Sequence, residues 1–153
     1  MLVGRRLTNK KEKKGIIMDK DTVLDNMKEV GLRLTPQRIH IVELLFELSH
    51  PTADRIYTMM TEKFPYVSQA TVYNTLKKLK EIGLVKELTN GDRSSNFEVN
   101  EMEHWHFNCK ICGEIYDLEP NKTDALMAVG TQKGAFQVDN YQVEFYGICA
   151  KCK

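Results

Sequence analysis

The stretch that decides the fold covers residues 68–99, which read SQATVYNTLKKLKEIGLVKELTNGDRSSNFEV. Ser68 is a typical helix N-cap, and the residues after it keep one face small or apolar, with Val72, Leu76, Leu79 and Gly83 aligned on a helical wheel. Residues 84–89 alternate like a strand, Asn90-Gly91 is a hairpin pattern, and residues 95–99 return. A helix followed by a two-stranded hairpin predicts the last helix and wing of a winged helix-turn-helix domain.

Three shorter helical segments precede this stretch. The first covers residues 21–30 and ends at Gly31. The second begins at Thr35-Pro36, ends at His50-Pro51 and carries an apolar stripe of Ile39, Val42, Leu45 and Phe46. The third begins at Thr52, ends before Pro65 and turns Ile56, Tyr57 and Met60 toward the core. Several short helices before a hairpin complete the winged-helix pattern.

The character of the sequence changes after Asn100. Strand-like runs cover residues 104–107, 114–118 and 136–146, and residues 123–129 have helical character. We therefore predict an α+β protein with a winged-helix domain over residues 18–99 and a second α/β domain over residues 100–153. Residues 1–17 are polar and rich in Lys and Arg, so we expect either a disordered basic arm or an extension upstream of a translation start at Met18.

Charge is divided unequally along the 153-residue chain. Residues 1–98 carry 17 Lys and Arg against 13 Asp and Glu, whereas residues 99–153 carry 5 against 8. This division suggests that only the first part meets a polyanion. No segment approaches the roughly 18 apolar residues of a membrane helix, and the first residues lack the apolar stretch of a secretory signal. We therefore expect a cytoplasmic protein without a membrane partner.

Two cysteine pairs give the strongest chemical pattern. Cys109 and Cys112 form one C-x-x-C unit, and Cys149 and Cys152 form another. Two such turns place four thiolates around one Zn²⁺ ion and leave no open coordination position, so the predicted site is structural. Gly113 follows the first pair, where a knuckle favours a residue that adopts positive φ. Disulfides or unpaired buried thiols are the alternative interpretations.

A second pattern combines histidines with carboxylates. His104 and His106 point to one face of a predicted strand, while Trp105 and Phe107 point to the other. Glu98 and Asp117 lie on neighbouring predicted strands and can add oxygens. A mixed nitrogen and oxygen shell suits Fe²⁺, Mn²⁺ or Zn²⁺. The alternative is a surface histidine pair beside solvated carboxylates, and His50 stands alone at the end of the second helix.

The fourth helix offers a small, polar and basic face. Ala70 allows a close approach to a DNA groove, Asn74 can contact adenine, and Lys77 and Lys78 can reach phosphates. The alternative is an ordinary solvated helix face. The expected DNA-contacting set is Ser68, Ala70, Thr71, Tyr73, Asn74, Lys77 and Lys78.

Together, these segments resemble the ferric uptake regulator (Fur) family over roughly residues 20–152. The resemblance is carried by GLRLTPQR at residues 31–38, HPTAD at 50–54, SQATVYNTL at 68–76, GLV at 83–85, HWH at 104–106 and both cysteine pairs. It implies a homodimeric, metal-activated repressor, not an enzyme, that binds double-stranded DNA at inverted repeats. In that family the cysteine pairs hold structural zinc. The resemblance also implies a regulatory metal, bound by His50, Glu98, His104, His106 and Asp117.

The branch within the family is less sharply marked. Asn74 and the run VKELTNGDRSS at residues 85–95 resemble the peroxide-sensing (PerR) members. In those proteins Fe²⁺ reacts with peroxide and a ligand histidine is oxidised, and His50 and His104 match the susceptible positions. Glu98 stands where those sensors usually have Asp, and a Glu at this position is closer to the iron-sensing branch. The resemblance therefore implies a peroxide-responsive repressor using Fe²⁺ or Mn²⁺, with an iron- or zinc-uptake regulator as the alternative.

Two other classes of protein compete with a repressor. Histidines and carboxylates can host a hydrolytic metal, but no H-E-x-x-H motif occurs in the sequence. A zinc-stapled protein-interaction module is the other possibility, and Lys77 and Lys78 argue against it.

Overall fold

The structure, a computed structural model, describes residues 18–89, 94–99, 104–119, 136–137 and 142–153. Four helices come first: α1 (Lys20–Glu29), α2 (Pro36–Glu47), α3 (Ala53–Lys63) and α4 (Gln69–Glu81). β1 (Val85–Leu88) and β2 (Asn96–Val99) form an antiparallel two-stranded sheet. A second sheet has the order β4-β3-β5, from β3 (Trp105–Cys109), β4 (Ile115–Leu118) and β5 (Glu144–Gly147). The four helices followed by a two-stranded sheet confirm the predicted winged-helix pattern, and the helices and two sheets together confirm the α+β class.

Each helix begins where the sequence supplies a cap. Asp19, Thr35, Thr52 and Ser68 precede α1 to α4, and each side chain accepts a hydrogen bond from the backbone N–H three residues later. Such a bond satisfies one of the N–H groups that a helix start leaves free. The sequence therefore specifies these helix starts locally.

Gly83 ends α4 in a way that corrects one expectation. The helical wheel predicts it on the buried face of the helix, but it lies beyond Glu81, is exposed and has φ +75°. Its N–H donates to the Lys80 carbonyl, and the Leu84 N–H donates to the Leu79 carbonyl. These two bonds define a Schellman turn, which favours glycine because a Cβ is strained at positive φ. The turn directs the chain into β1.

The core of the helical part is formed by all four helices and the β1-β2 sheet. Its buried residues are Val23, Met27, Ile41, Val42, Leu44, Leu45, Ala53, Ile56, Met60, Val67, Val72, Leu76, Leu79, Leu84, Val85, Phe97 and Val99. In α2 the predicted stripe is only partly right, because Ile39 and Phe46 are half-buried while Ile41 and Leu44 are buried. The reason is that α2 packs against α1, α3, α4 and β2, so it buries more than one stripe.

The strands are mostly shorter than the predicted runs. In residues 136–146, only Glu144 onward forms a described strand, because β3 pairs with β5 from His106–Glu144 to Cys109–Gly147. The Asn90-Gly91 turn, the helix expected over residues 123–129 and the arm over residues 1–17 lie outside the described residues. Among the described helices, none is both long and apolar enough to cross a membrane.

Candidate metal centres and nucleic-acid interface

Five side chains converge where the two sheets meet: His50, Glu98, His104, His106 and Asp117. One ligand atom from each lies within 4.8 Å of all the others. Glu98 Oε2 lies 3.0 Å from Nε2 of both His104 and His106 and 3.2 Å from that of His50. Asp117 Oδ1 lies 3.0, 3.4 and 3.6 Å from the Nε2 atoms of His50, His104 and His106. The cluster therefore has three nitrogens and two oxygens facing a common centre.

This donor set fits a divalent transition metal. Ligand atoms about 2.1 Å from one ion are separated by about 3.0 Å at right angles and about 3.4 Å in a tetrahedron. The separations within the cluster, including 2.9 Å between the Nε2 atoms of His104 and His106, match that range. Neutral imidazoles and carboxylates together suit Fe²⁺, Mn²⁺ or Zn²⁺.

The second sheet positions three of the five side chains. His106 and Asp117 are cross-strand partners in the β3-β4 pair, so both side chains lie on one face. His104 immediately precedes β3, and its ring lies 4.6 Å from that of His106. Trp105 instead packs on Phe145, on the other face. The predicted alternation across residues 104–107 is therefore confirmed.

His50 reaches the cluster from the loop after α2. It is buried, and its φ of 44° is unusual for a residue with a side chain. Asn96 Nδ2 donates to the His50 carbonyl at 2.5 Å, and the Phe97 N–H donates to the Pro51 carbonyl at 2.9 Å. Ser49 Oγ lies 3.1 Å from His50 Nδ1, an arrangement that turns Nε2 toward the cluster. Sequence reasoning missed Ser49 and Asn96, because their contacts depend on tertiary packing.

Glu98 corrects the predicted strand arrangement. It does not lie in the sheet of His104 and His106, because β2 pairs with β1 in the other sheet. Burial alone would raise the pKa of Glu98, but hydrogen bonds with the three imidazoles outweigh it and hold this pKa well below its usual range. Its other oxygen, Oε1, is buried without a hydrogen-bond partner among the described residues, and Lys86 Nζ lies 3.8 Å away.

The four cysteines form a second cluster at the end of the C-terminal sheet. Their sulfur atoms lie within 4.8 Å of one another, and Cys112 Sγ is 3.8 Å from Cys149 Sγ. Zinc–sulfur bonds of about 2.3 Å place tetrahedral sulfurs about 3.8 Å apart, whereas a disulfide requires about 2.05 Å. The arrangement therefore fits a closed zinc site, and these four cysteines form no disulfide.

Backbone geometry favours a thiolate at Cys109. Gly113 has φ 78°, as the knuckle pattern predicted, and its N–H donates to the Cys109 carbonyl. Backbone N–H groups of Cys112 and Cys149 lower the pKa of Cys109 to about 6. A thiol with this pKa is deprotonated near neutral pH, which is the form that binds metal.

The exposed face of α4 carries most of the predicted DNA-contacting set. Ala70, Tyr73, Asn74, Lys77 and Lys78 are exposed, whereas Thr71 is half-buried. Ser68 is exposed, but its hydroxyl caps the helix through the Thr71 N–H.

Lys77 and Lys78 differ in whether they form an ion pair. Lys78 Nζ lies 3.1 Å from Glu81, whereas Lys77 has no ion pair within the part of the chain that the structure describes. Tyr73 donates its hydroxyl hydrogen to Asp54 at 3.1 Å, which links α4 to α3. Lys77 is therefore the better candidate for a phosphate contact.

Comparisons with known proteins agree with this geometry. Residues 29–146 match the profile of the Ferric uptake regulator family. The "Peroxide operon regulator" of Bacillus subtilis is 44% identical over 130 residues, covering 84% of this chain and 90% of that protein. The "Peroxide-responsive repressor PerR" of Staphylococcus epidermidis is 43% identical over 129 residues, covering 84% and 86%. The crystal structure of the Campylobacter jejuni peroxide stress regulator is 33% identical with a TM-score of 0.66, covering 84% and 98%.

Proposed function

The chain belongs to the ferric uptake regulator family, and on that premise we propose that it is a metal-dependent, peroxide-responsive transcriptional repressor. The observation that carries the proposal is the five-residue cluster at the meeting of the two sheets. Its ligands come from both parts of the chain: His50 and Glu98 belong to the winged-helix part, and the other three belong to the C-terminal sheet. We propose domain limits of 18–99 and 100–153.

We propose that His50, Glu98, His104, His106 and Asp117 hold the regulatory Fe²⁺ or Mn²⁺. Three neutral imidazoles and two carboxylates give the set a charge that a divalent cation balances. Holding the five groups at ligand distances also fixes the winged-helix part against the C-terminal sheet. In a homodimer, that orientation sets the separation of the two α4 helices, which must match the half-sites of an inverted repeat.

The cysteine cluster is proposed to hold structural Zn²⁺. Cys109 and Cys112 follow β3, and Cys149 and Cys152 follow β5. The four thiolates would join these two turns and stabilise the sheet that presents His104, His106 and Asp117. We assign this second part to dimerisation.

Peroxide response is proposed to act through the ligand histidines. Fe²⁺ held by His50, Glu98, His104, His106 and Asp117 would supply the activation of hydrogen peroxide for oxygen transfer. A ring C–H of His50 or His104 becomes C–OH with one peroxide oxygen, and the second oxygen leaves as water. An oxidised imidazole is a poorer ligand, so the domains lose their fixed orientation and the operator is released.

The proposal is tested by metal titration of DNA binding on an inverted-repeat duplex. We expect Fe²⁺ or Mn²⁺ to tighten binding in the wild type and a chelator to reverse it. His106→Ala should lose the metal response but keep its zinc and its dimeric state, because only the regulatory set is broken. His40→Ala is the matched control, because His40 pairs with Glu43 outside the cluster. An unchanged metal response in His106→Ala would remove this residue from the set.

Glu98 keeps a second candidate open within the family. If the longer carboxylate prevents reaction with peroxide, the protein is an iron- or zinc-uptake regulator with the same metal-dependent DNA binding. The two functions differ in a single result, because only the peroxide sensor releases DNA on peroxide treatment at constant metal.

A further inference from the structure

The two oxygens of Glu98 have different surroundings. Oε2 faces the three imidazoles at 3.0–3.2 Å. Oε1 faces away from them, is buried and has no hydrogen-bond partner among the described residues. Lys86 Nζ lies 3.8 Å from Oε1, which makes the pair a charge–charge interaction rather than a hydrogen bond. The carboxylate is therefore drawn in two directions, with one oxygen toward the metal ligands and one toward an ammonium group.

The fold places Lys86 at this position. In the antiparallel β1-β2 pair, Lys86 is the direct cross-strand partner of Glu98, so their side chains share one face of the sheet. The neighbours Val85 and Val99 are buried in the core and hold this register. The Lys86 side chain is 39% exposed, so its ammonium group keeps partial contact with solvent while facing the buried oxygen.

We propose that Lys86 is a positioning residue that holds Glu98 to one-oxygen binding of the regulatory metal. This inference rests on the proposed function. For Glu98 to bind through both oxygens, the carboxylate must rotate Oε1 toward the imidazoles and away from Lys86. The attraction between Oε1 and the Lys86 ammonium opposes that rotation, so one coordination position stays available for peroxide.

The length of the Glu98 side chain makes such a restraint necessary. A glutamate has one methylene more than an aspartate, so its carboxylate reaches further into the ligand set and can chelate more readily. Lys86 counteracts this tendency from outside the ligand set. Its ammonium group faces Oε1, the oxygen turned away from the imidazoles, so its effect on the metal passes through Glu98.

The experiment reads coordination directly with Co²⁺ as the probe, in full-length protein whose cysteine site already holds zinc. The visible absorption of Co²⁺ weakens when a five-coordinate ion gains a sixth ligand. We expect Lys86→Met to weaken this absorption, Lys86→Arg to preserve it, and Lys28→Met, an exposed lysine on α1, to leave it unchanged. We also expect tighter Co²⁺ binding in Lys86→Met, by about fivefold, the size of one partly exposed ion pair.

The same substitution made in the Glu98→Asp variant tells two effects of Lys86 apart: a change in the number of carboxylate oxygens bound to the metal, and a change in the charge near it. In Glu98→Asp the carboxylate is shorter, so adding Lys86→Met should leave the Co²⁺ spectrum unchanged even if affinity rises. An unchanged spectrum in Lys86→Met alone, or equal effects of Lys86→Arg and Lys86→Met, would overturn the inference and leave the proposed function standing. A wild-type Co²⁺ spectrum that does not respond to His106→Ala would overturn both.

Discussion

At the level of single residues, Glu98 and Asp117 bring the same functional group to the cluster in opposite surroundings. The Glu98 side chain is 8% exposed, whereas that of Asp117 is 58% exposed. Among the described residues, the cluster is therefore open to solvent on the Asp117 side and closed on the Glu98 side. Under the proposed function, the length of the Glu98 side chain would therefore set how much room remains around the metal.

We predict that Glu98→Asp oxidises faster than the wild type when both are loaded with Fe²⁺ and given equal peroxide. The shorter carboxylate withdraws from the centre of the ligand set and widens the open position, which we expect to raise the rate by on the order of threefold to tenfold. The oxygen adduct on the His50 and His104 peptides, followed over time by mass spectrometry, gives the rate.

The His40 peptide is the internal control, because His40 lies outside the cluster. Equal rates in the two proteins would show that the backbone has absorbed the extra methylene and that carboxylate length does not limit the reaction.

Local rules predicted part of this site and tertiary packing supplied the rest. The shared face of His104 and His106 follows from the alternation of side chains along a strand. The grouping of the four cysteines follows from the spacing of the two C-x-x-C units. His50 could be included only through family resemblance, because a lone histidine after a helix carries no periodic information. Lys86 was missed because its pairing with Glu98 depends on the exact register between β1 and β2, which the sequence pattern does not specify.

At the level of elements, the two faces of α4 have different surroundings. Val72, Leu76 and Leu79 are buried in the core, while Asn74 and Lys77 are exposed on the other side. The cap at Ser68 and the turn at Gly83 fix both ends of the helix locally, so this element could be predicted closely. In α2 the prediction was less good, because a helix packed on several sides shows no single apolar stripe.

We predict that Lys77→Ala and Asn74→Ala affect DNA binding differently. Lys77→Ala should weaken binding to all sequences and lower the salt slope by roughly one unit for each phosphate that a subunit no longer neutralises. Asn74→Ala should instead flatten the preference between operators, because an amide reads base edges. Binding measured over a range of salt concentrations on two operators separates the effects.

Lys28→Ala is the control for removal of one exposed lysine, because Lys28 lies on α1 beside Asp25. If both α4 substitutions change only the thermal stability, α4 does not read DNA.

At the level of the whole molecule, two clusters join segments that are distant in sequence. The histidine cluster joins residues 50 and 98 to the C-terminal sheet, and the cysteine cluster joins residues 109–112 to residues 149–152. Among the described residues of the C-terminal part, Cys109, Ile115 and Cys149 are buried hydrophobic residues. Under the proposed function, a zinc ion bound by the four cysteines would tie the turn after β3 to the turn after β5 and so stabilise this part of the chain.

We predict that Cys112→Ser loses zinc, the dimeric state and ordered C-terminal structure. Structural zinc supplies roughly 10–16 kcal/mol in small zinc modules, comparable to the stability of a whole domain. Zinc content, sedimentation and circular dichroism measure the three losses. Lys110→Ser, in the same turn, is the control and should retain all three. A stable, dimeric Cys112→Ser protein without zinc would contradict a structural role for the site.

The most direct test of peroxide sensing starts from wild-type protein that is loaded with Fe²⁺ in the absence of oxygen and bound to operator DNA. Peroxide is then added. DNA binding and histidine oxidation are followed in the same samples, with Mn²⁺-loaded protein as the comparison. We expect DNA release to keep pace with the gain of one oxygen on the His50 or His104 peptide, and we expect Mn²⁺-loaded protein to stay bound and unmodified. DNA binding that persists after these histidines are oxidised, or release without any adduct on them, would contradict peroxide sensing through this cluster.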